Sequence, residues 1–259
     1  MSGPMIDVVD LGVSFGSTRV LHDVSLRLET GQTVGVVGES GSGKSTLAKV
    51  LVGIVEPDAG EVVVANTDVR RLGRRSRRAA QDYRRRVQMV PQDPFSSLSP
   101  RRTIGQTLAE ALDPARASVR RHEDRIAAWL ERVGLPADAM GRYPHEFSGG
   151  QRQRVAIARS LIVEPSVVIA DEITSALDVS VQAQILDLIA EIKAGLGLTM
   201  VFISHNLAVV QRVSDVVAVM YRGEVVEAGP VEQIYADPRH WYTRQLLDAD
   251  PGAPGFSLG

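Results

Sequence analysis

The chain has 259 residues, enough for one large domain or for a core with a subdomain, and its formal charge of −2 argues against wholesale attraction to nucleic acid. Zero cysteines exclude disulfides, thiolate zinc sites and cysteine-ligated iron–sulfur clusters. The N-terminus lacks a charged-then-apolar leader and no apolar run approaches the ~20 residues that span a bilayer, so a soluble, intracellular globular protein is expected.

In chain order, the first clear element is the apolar run TVGVV at 33–37, a strand that leads into the glycine loop GESGSGKST and then the helical pattern KSTLAKVLVGI. From Gly38 to Ser45 the loop fits G-x-x-x-x-G-K-[ST], in the strand–loop–helix setting the motif requires. The glycines let backbone wrap phosphate, Lys44 brings a point charge to the β- and γ-phosphates, and Ser45 is placed for Mg²⁺. A second strand, EVVVAN at 61–66, follows a Pro-Asp-Ala-Gly turn.

Nine arginines fall between Arg70 and Arg86. An anionic partner, nucleic acid or lipid headgroups, is one reading of them. A solvated helix face is the plainer one, because Tyr83 alone interleaves.

Residues 95–154 carry helix-like stretches (IGQTLAEAL, RHEDRIAAWLERVGL) and no clear strand, which marks a helical subdomain inserted into an α/β core. Toward its end, FSGGQRQRVAIARSL places a serine and two glycines directly ahead of a helix, a pattern suited to binding an anion.

SVVIADE (166–172) and LTMVFIS (198–204) are short, apolar and bounded by turns or polar residues, as buried strands are. Between them, Val181, Ile185, Leu188, Ile189 and Ile192 recur at helical spacing in a helix ending near Gly195. Such strand–helix–strand units imply a largely parallel sheet covered by helices. Asp171 at the strand end is expected to hold Mg²⁺ through water, and Glu172 to activate an attacking water. His205 follows the next strand, which should lie beside the one bearing Glu172. SDVVAVMYRGEVVEAG reads as a hairpin turning at Arg222-Gly223, and residues 249–259 as a flexible tail. Phe15, 23 residues before Gly38, can stack on a purine base; an ordinary exposed or core Phe is the alternative.

Taken together and in this order, Phe15, GESGSGKST, Gln92, FSGGQ, VVIADE, SALD and His205 resemble the motif series of the ATP-binding subunits of ABC transporters, over roughly residues 5–247. QDPFSSLSPRRTI, ALDVSVQAQIL and HWYTRQLL are similar to the oligopeptide/dipeptide/nickel importer branch. The resemblance implies a P-loop NTPase α/β core of the ABC type, with an N-terminal antiparallel β region and the inserted helical subdomain. It implies one domain over 1–248, with its core at 1–94 and 155–248. Its implied ligands are ATP and Mg²⁺.

On the same resemblance, nucleotide contacts fall to Phe15, Val20, Gly38, Ser40, Gly41, Ser42, Gly43, Lys44, Ser45, Thr46, Gln92, Ser148, Gly149, Gly150, Gln151 and Asp178. Metal contacts fall to Ser45, Gln92 and Asp171, and catalysis to Glu172, His205, Gln92 and Lys44. Two departures stand out: Ile173 occupies a position usually Pro, and Pro91 one often aromatic.

Two phosphate cradles in one chain fit a head-to-tail pair, each FSGGQ segment closing over the ATP held by the other subunit's Lys44. The partners implied are a second ATP-binding subunit, identical or different, two integral membrane permease subunits and, indirectly, an extracytoplasmic solute-binding protein. No nucleic acid is expected. The implied place is the cytoplasmic face of the inner membrane, with peptides or a chelated metal such as nickel as cargo. The competing readings are the ATPase of a phosphonate-degradation complex and a soluble ABC ATPase outside transport.

Overall fold

The computed structural model describes residues 3–74, 76–175 and 177–249 and divides into two compact units. Among the described residues, the first takes those within 3–87, 166–172 and 197–249, and the second those within 88–165 and 173–196.

The first unit opens with an antiparallel hairpin, β1 (Ile6–Phe15) and β2 (Thr18–Leu28). The chain continues through β3 (Thr33–Val37), helix α1 (Lys44–Leu51), β4 (Ala59–Val64) and the short β5 (Thr67–Asp68). Helix α2 (Arg77–Arg86) then leads into β6 (Val87–Val90), where this unit's first segment ends. A four-stranded sheet in the order β2-β1-β4-β5 realises the antiparallel region implied by the resemblance.

α2 explains the arginine run. Ser76 caps it by accepting from the Ala79 N–H at 3.3 Å, Tyr83 is its buried anchor, and the described arginines from Arg70 to Arg86 are exposed. The Tyr83 hydroxyl donates to the Leu51 carbonyl, and Arg86 bonds to the Ala65 carbonyl at 2.6 Å and the Thr67 hydroxyl at 2.9 Å.

The second unit is helical: α3 (Pro94–Ser97), α4 (Ile104–Leu112), α5 (Glu123–Arg132), α6 (Gly149–Leu161) and, after the chain's excursion through the core, α7 (Val179–Leu196). α6 lies against the other four. It runs unbroken past Arg154, so the compact unit takes in residues 155–165, and its contact with α7 brings 173–196 along. Both α4 and α6 begin with a reciprocal capping box, Thr103 with Gln106 and Ser148 with Gln151, which satisfies amides left open at a helix start.

Back in the first unit come β7 (Val167–Asp171), β8 (Thr199–Ile203), α8 (Leu207–Val213), β9 (Val216–Tyr221), β10 (Glu224–Pro230), α9 (Val231–Ala236) and α10 (Trp241–Asp248). The large sheet has the order β10-β9-β3-β8-β7-β6. β9, β3, β8 and β7 run parallel, and β10 returns antiparallel through the expected turn at Arg222-Gly223, both in positive φ. β3, β7 and β8 are buried at every residue, as uninterrupted apolar runs in a parallel sheet should be. Beyond Ala249, the expected tail lies outside the described residues.

Candidate functional site: a phosphate loop with two acids and a histidine

Strand β3 delivers the chain to Gly38 at the C-terminal end of the parallel sheet, where ligands of open α/β sheets bind. Gly38 has φ +148, and a Cβ there would sit 2.1 Å from the Met220 carbonyl oxygen, so only glycine passes. Gly43, at φ +104, is the N-cap of α1 and offers no side-chain acceptor; no acid sits in the first turn. The helix therefore begins with amides uncapped by side chains and with its positive end unneutralised, a setting that favours an anion. The loop is tied down from afar, because Gly223 in the β9–β10 turn donates its N–H to the Ser42 carbonyl at 3.0 Å. The Arg-Gly turn was visible in the sequence, but nothing in it signalled this contact.

Lys44 is 5% exposed. Its ammonium donates to the carbonyls of Gly38 (2.7 Å) and Glu39 (2.8 Å). Burial pulls its pKa below the usual lysine value, while Glu172, Asp171 and Glu39 pull it back up. The loop thus holds a desolvated cation facing acids.

Asp171 ends β7 and is 6% exposed. Burial raises its pKa, and the neighbouring Glu172 charge raises it further; a hydrogen bond with the Ser45 side chain, then Lys44 and Lys49, offset part of this. Among the described residues, its Oδ1 is a buried oxygen with no hydrogen-bond partner. A buried acceptor left open next to a serine hydroxyl fits a hard cation. No cluster of three or more His, Asp or Glu side chains forms a metal cage among the described residues. Mg²⁺ takes one or two protein ligands together with substrate phosphates, the number that Asp171 and Ser45 can supply.

Glu172 leaves the strand in the left-handed region, φ 46, with its N–H bonded to the Ile203 carbonyl at 2.9 Å. Since β7 and β8 pair in parallel with Asp171 opposite Ile203, His205 follows on the adjacent strand as the sequence implied. Its Nδ1 lies 3.6 Å from Glu172 Oε2. Lys44, Ser45, Asp171, Glu172 and His205 all belong to the first unit, as do Ser40, Gly41 and Thr46 of the loop. Phe15, 53% exposed, is no core residue, and the Val20 carbonyl sits 3.4 Å from where a Cβ on Gly43 would lie.

Gln92, Ser148, Gly149, Gly150, Gln151 and Asp178 belong to the second unit. Ser148 accepts from the Gln151 N–H (3.3 Å), and Gln151 Oε1 accepts from the Ser148 N–H (3.0 Å). A Cβ on Gly149 would meet nothing, whereas one on Gly150 would strike Val181 Cγ1 at 2.7 Å. Gly150 is therefore also a packing residue at the α6–α7 contact. Asp178 accepts from the Val181 N–H (2.9 Å) and the Ser180 hydroxyl (2.7 Å), which hold its carboxyl below the usual range.

A cavity of about 370 Å³ lies elsewhere in the first unit, lined by Glu56, Glu61, Asp68, Arg70, Arg71 and Arg74 among others. Within it Arg71 pairs with Asp68 at 3.0 Å and Arg70 bonds the Gly60 carbonyl at 2.9 Å, and it shares no residue with the phosphate loop. We assign the chemistry to the loop. No helix among the described residues is long and apolar enough to cross a membrane.

Residues 21–175 match the family described as ABC transporter. The chain is 49% identical over 235 residues to the di/tripeptide transport ATP-binding protein DppF of Pseudomonas aeruginosa, covering 90% of this chain and 72% of that one. It is 44% identical over 238 residues to the oligopeptide transport ATP-binding protein OppF of Bacillus subtilis, covering 91% and 77%. A solved ATP-binding cassette, MJ0796, a dimer in a post-hydrolysis state bound to ADP and phosphate, superposes with a TM-score of 0.76 at 26% identity, covering 88% of this chain and 99% of that one. The chain belongs to the family of ATP-binding subunits of ABC transporters.

Proposed function

We propose that the protein hydrolyses ATP to power an importer of peptides. The observation that carries the catalytic half is the assembly of Lys44, Ser45, Asp171, Glu172 and His205 around one uncapped helix start. Peptide cargo, rather than a chelated metal, is supported by the names of DppF and OppF. Residues 1–248 act as one ABC ATPase domain.

The loop residues Gly38, Ser40, Gly41, Ser42, Gly43 and Thr46 cradle the phosphates, with Lys44 neutralising their charge. Phe15 and Val20 receive the base. Ser45 and Asp171 would hold Mg²⁺, and Gln92 is assigned to the same cation by the resemblance alone. When bound, the cation withdraws charge from the phosphate oxygens and so eases displacement of the leaving group. Glu172 takes the proton of the attacking water, and His205, beside it, holds the terminal phosphate.

Ser148, Gly149, Gly150, Gln151 and Asp178 serve the nucleotide of a second ATP-binding subunit. Each charge-assisted hydrogen bond of that kind contributes about 1.5–3 kcal/mol. Contacts made only to the intact triphosphate therefore link binding to dimer closure and hydrolysis to reopening. The dimeric state of MJ0796 supports this pairing. The subunit docks peripherally on two integral membrane subunits at the cytoplasmic face, and a solute-binding protein outside selects the peptide.

The test is affinity purification from native membranes, followed by peptide uptake into vesicles rebuilt from what is recovered. Two integral membrane proteins and ATP-dependent peptide uptake are expected. Recovery of a stable assembly with no membrane subunit would sink the importer reading.

A further inference from the structure

One contact at the phosphate loop comes from the far end of the chain. Tyr242, on α10, is 1% exposed, and its hydroxyl oxygen accepts a hydrogen bond from the Glu39 N–H at 2.9 Å. The Glu39 nitrogen and the Gly38 carbonyl belong to one planar trans peptide, so they point in opposite directions. Lys44 Nζ holds that carbonyl at 2.7 Å. The Gly38–Glu39 peptide is therefore gripped on both edges, by Lys44 on its oxygen and by Tyr242 on its nitrogen. Gly38 lacks a Cβ and tolerates many backbone angles, so this peptide would otherwise rotate at little cost.

Tyr242 is itself held firmly. Its ring packs on Tyr221, centroid to centroid 4.3 Å, and Tyr221 ends the strand just before the turn whose Gly223 bonds the Ser42 carbonyl. Glu227 on β10 accepts from the N–H groups of Arg239 (2.8 Å) and His240 (3.0 Å), fixing the entry to α10. His240 Nδ1 then accepts from the Tyr242 N–H at 3.2 Å.

We propose that Tyr242 is a positioning residue for ATP binding: its hydroxyl sets the plane of the Gly38–Glu39 peptide and, through that carbonyl, the place of the Lys44 ammonium. This rests on the reading of the loop as the ATP site. Tyr242 touches no phosphate; it acts through backbone.

Tyr242→Phe keeps the ring against Tyr221 and removes the hydroxyl that accepts from the Glu39 N–H. Calorimetric titration of the full chain with Mg-ATP should give a Kd raised about tenfold. Hydrogen exchange of the Glu39 amide should accelerate while β3 and α1 keep their protection. An unchanged Kd overturns the proposal, and so does a weakened Kd accompanied by lost protection across β3 and α1, the mark of a merely structural role. If the variant melts early, the titration is run in the cold, where it is folded. Wild type and Lys44→Ala are titrated alongside. If Lys44→Ala binds more weakly than wild type, the ATP-site reading stands and Tyr242→Phe decides the proposal. If wild type and Lys44→Ala bind equally, the ATP-site reading is what has failed.

Discussion

Glu172 Oε2 and His205 Nδ1 stand 3.6 Å apart, just beyond the ends of neighbouring parallel strands whose register sets Asp171 opposite Ile203. The sheet brings the two strand ends side by side, which places both residues on one edge of the site. Glu172→Gln keeps the side chain's size and removes its basicity. Turnover should fall by ~10²–10⁴-fold, the range for losing a general base, with ATP affinity retained. Steady-state hydrolysis near the wild-type rate would remove Glu172 from that role.

Lys44 is buried, and two carbonyls hold its ammonium in place. Lys44→Ala should weaken ATP binding by roughly 10- to 100-fold, the loss expected for charge-assisted hydrogen bonds. Lys44→Arg should not rescue, because a planar fork cannot occupy a pocket shaped for a compact ammonium. Isothermal titration of all three proteins checks both statements.

Asp171 should cost the protein stability when no cation is bound. Its folded pKa lies above the ordinary 3.8 because of burial. A raised carboxylate pKa means the folded state holds its proton longer, so stability is lost as pH climbs from about 4 through the folded value and stays lost at neutrality. Asp171→Asn should therefore raise the unfolding midpoint of the nucleotide-free protein at pH 7 by ~2–4 °C while abolishing hydrolysis. A lower midpoint for the variant, by calorimetry without Mg²⁺, would refute the burial account.

Ser148 caps α6 as well as being assigned to the partner's nucleotide. A bulky replacement confounds the two roles, since losing an N-cap costs about 0.5–2 kcal/mol. Ser148→Asp separates them, because aspartate caps equally well but presents a negative charge to phosphate. In a Glu172→Gln background it should leave the unfolding midpoint and monomer ATP affinity unchanged and eliminate ATP-dependent dimers. Dimers persisting on size-exclusion chromatography with ATP would overturn the trans assignment.

The buried strands were legible because a parallel sheet demands unbroken apolar runs, and Thr33–Val37, Val167–Asp171 and Thr199–Ile203 supply them. The N-terminal sheet was not legible from periodicity. β1 shifts register around Asp10, which sits at φ 51, and Asp23 does the same to β2 at φ 49, so alternation fails in both. Of that sheet only β4 was read as a strand, in EVVVAN, and its antiparallel partners entered through the family resemblance. Lys44, Asp171 and Glu172 could be read locally because each lies in a short motif with its own chemistry. The support behind them could not: Gly223 meets Ser42, and Tyr242 meets Glu39, across most of the chain. An ordinary tyrosine in a terminal helix carries no local sign of such a task.

The strand order has a consequence for how the protein is made. β3, which launches the phosphate loop, is flanked by β8 and β9, and both are synthesised after residue 198. At roughly 5–20 residues per second, the nascent loop spends about 10–30 s without the strands that seat it. Until then the residues of the phosphate loop are present, but the strand that launches them has neither of its neighbours. A chain that stops before β8 therefore leaves β3 without a strand on either side, and the loop it launches without its seat.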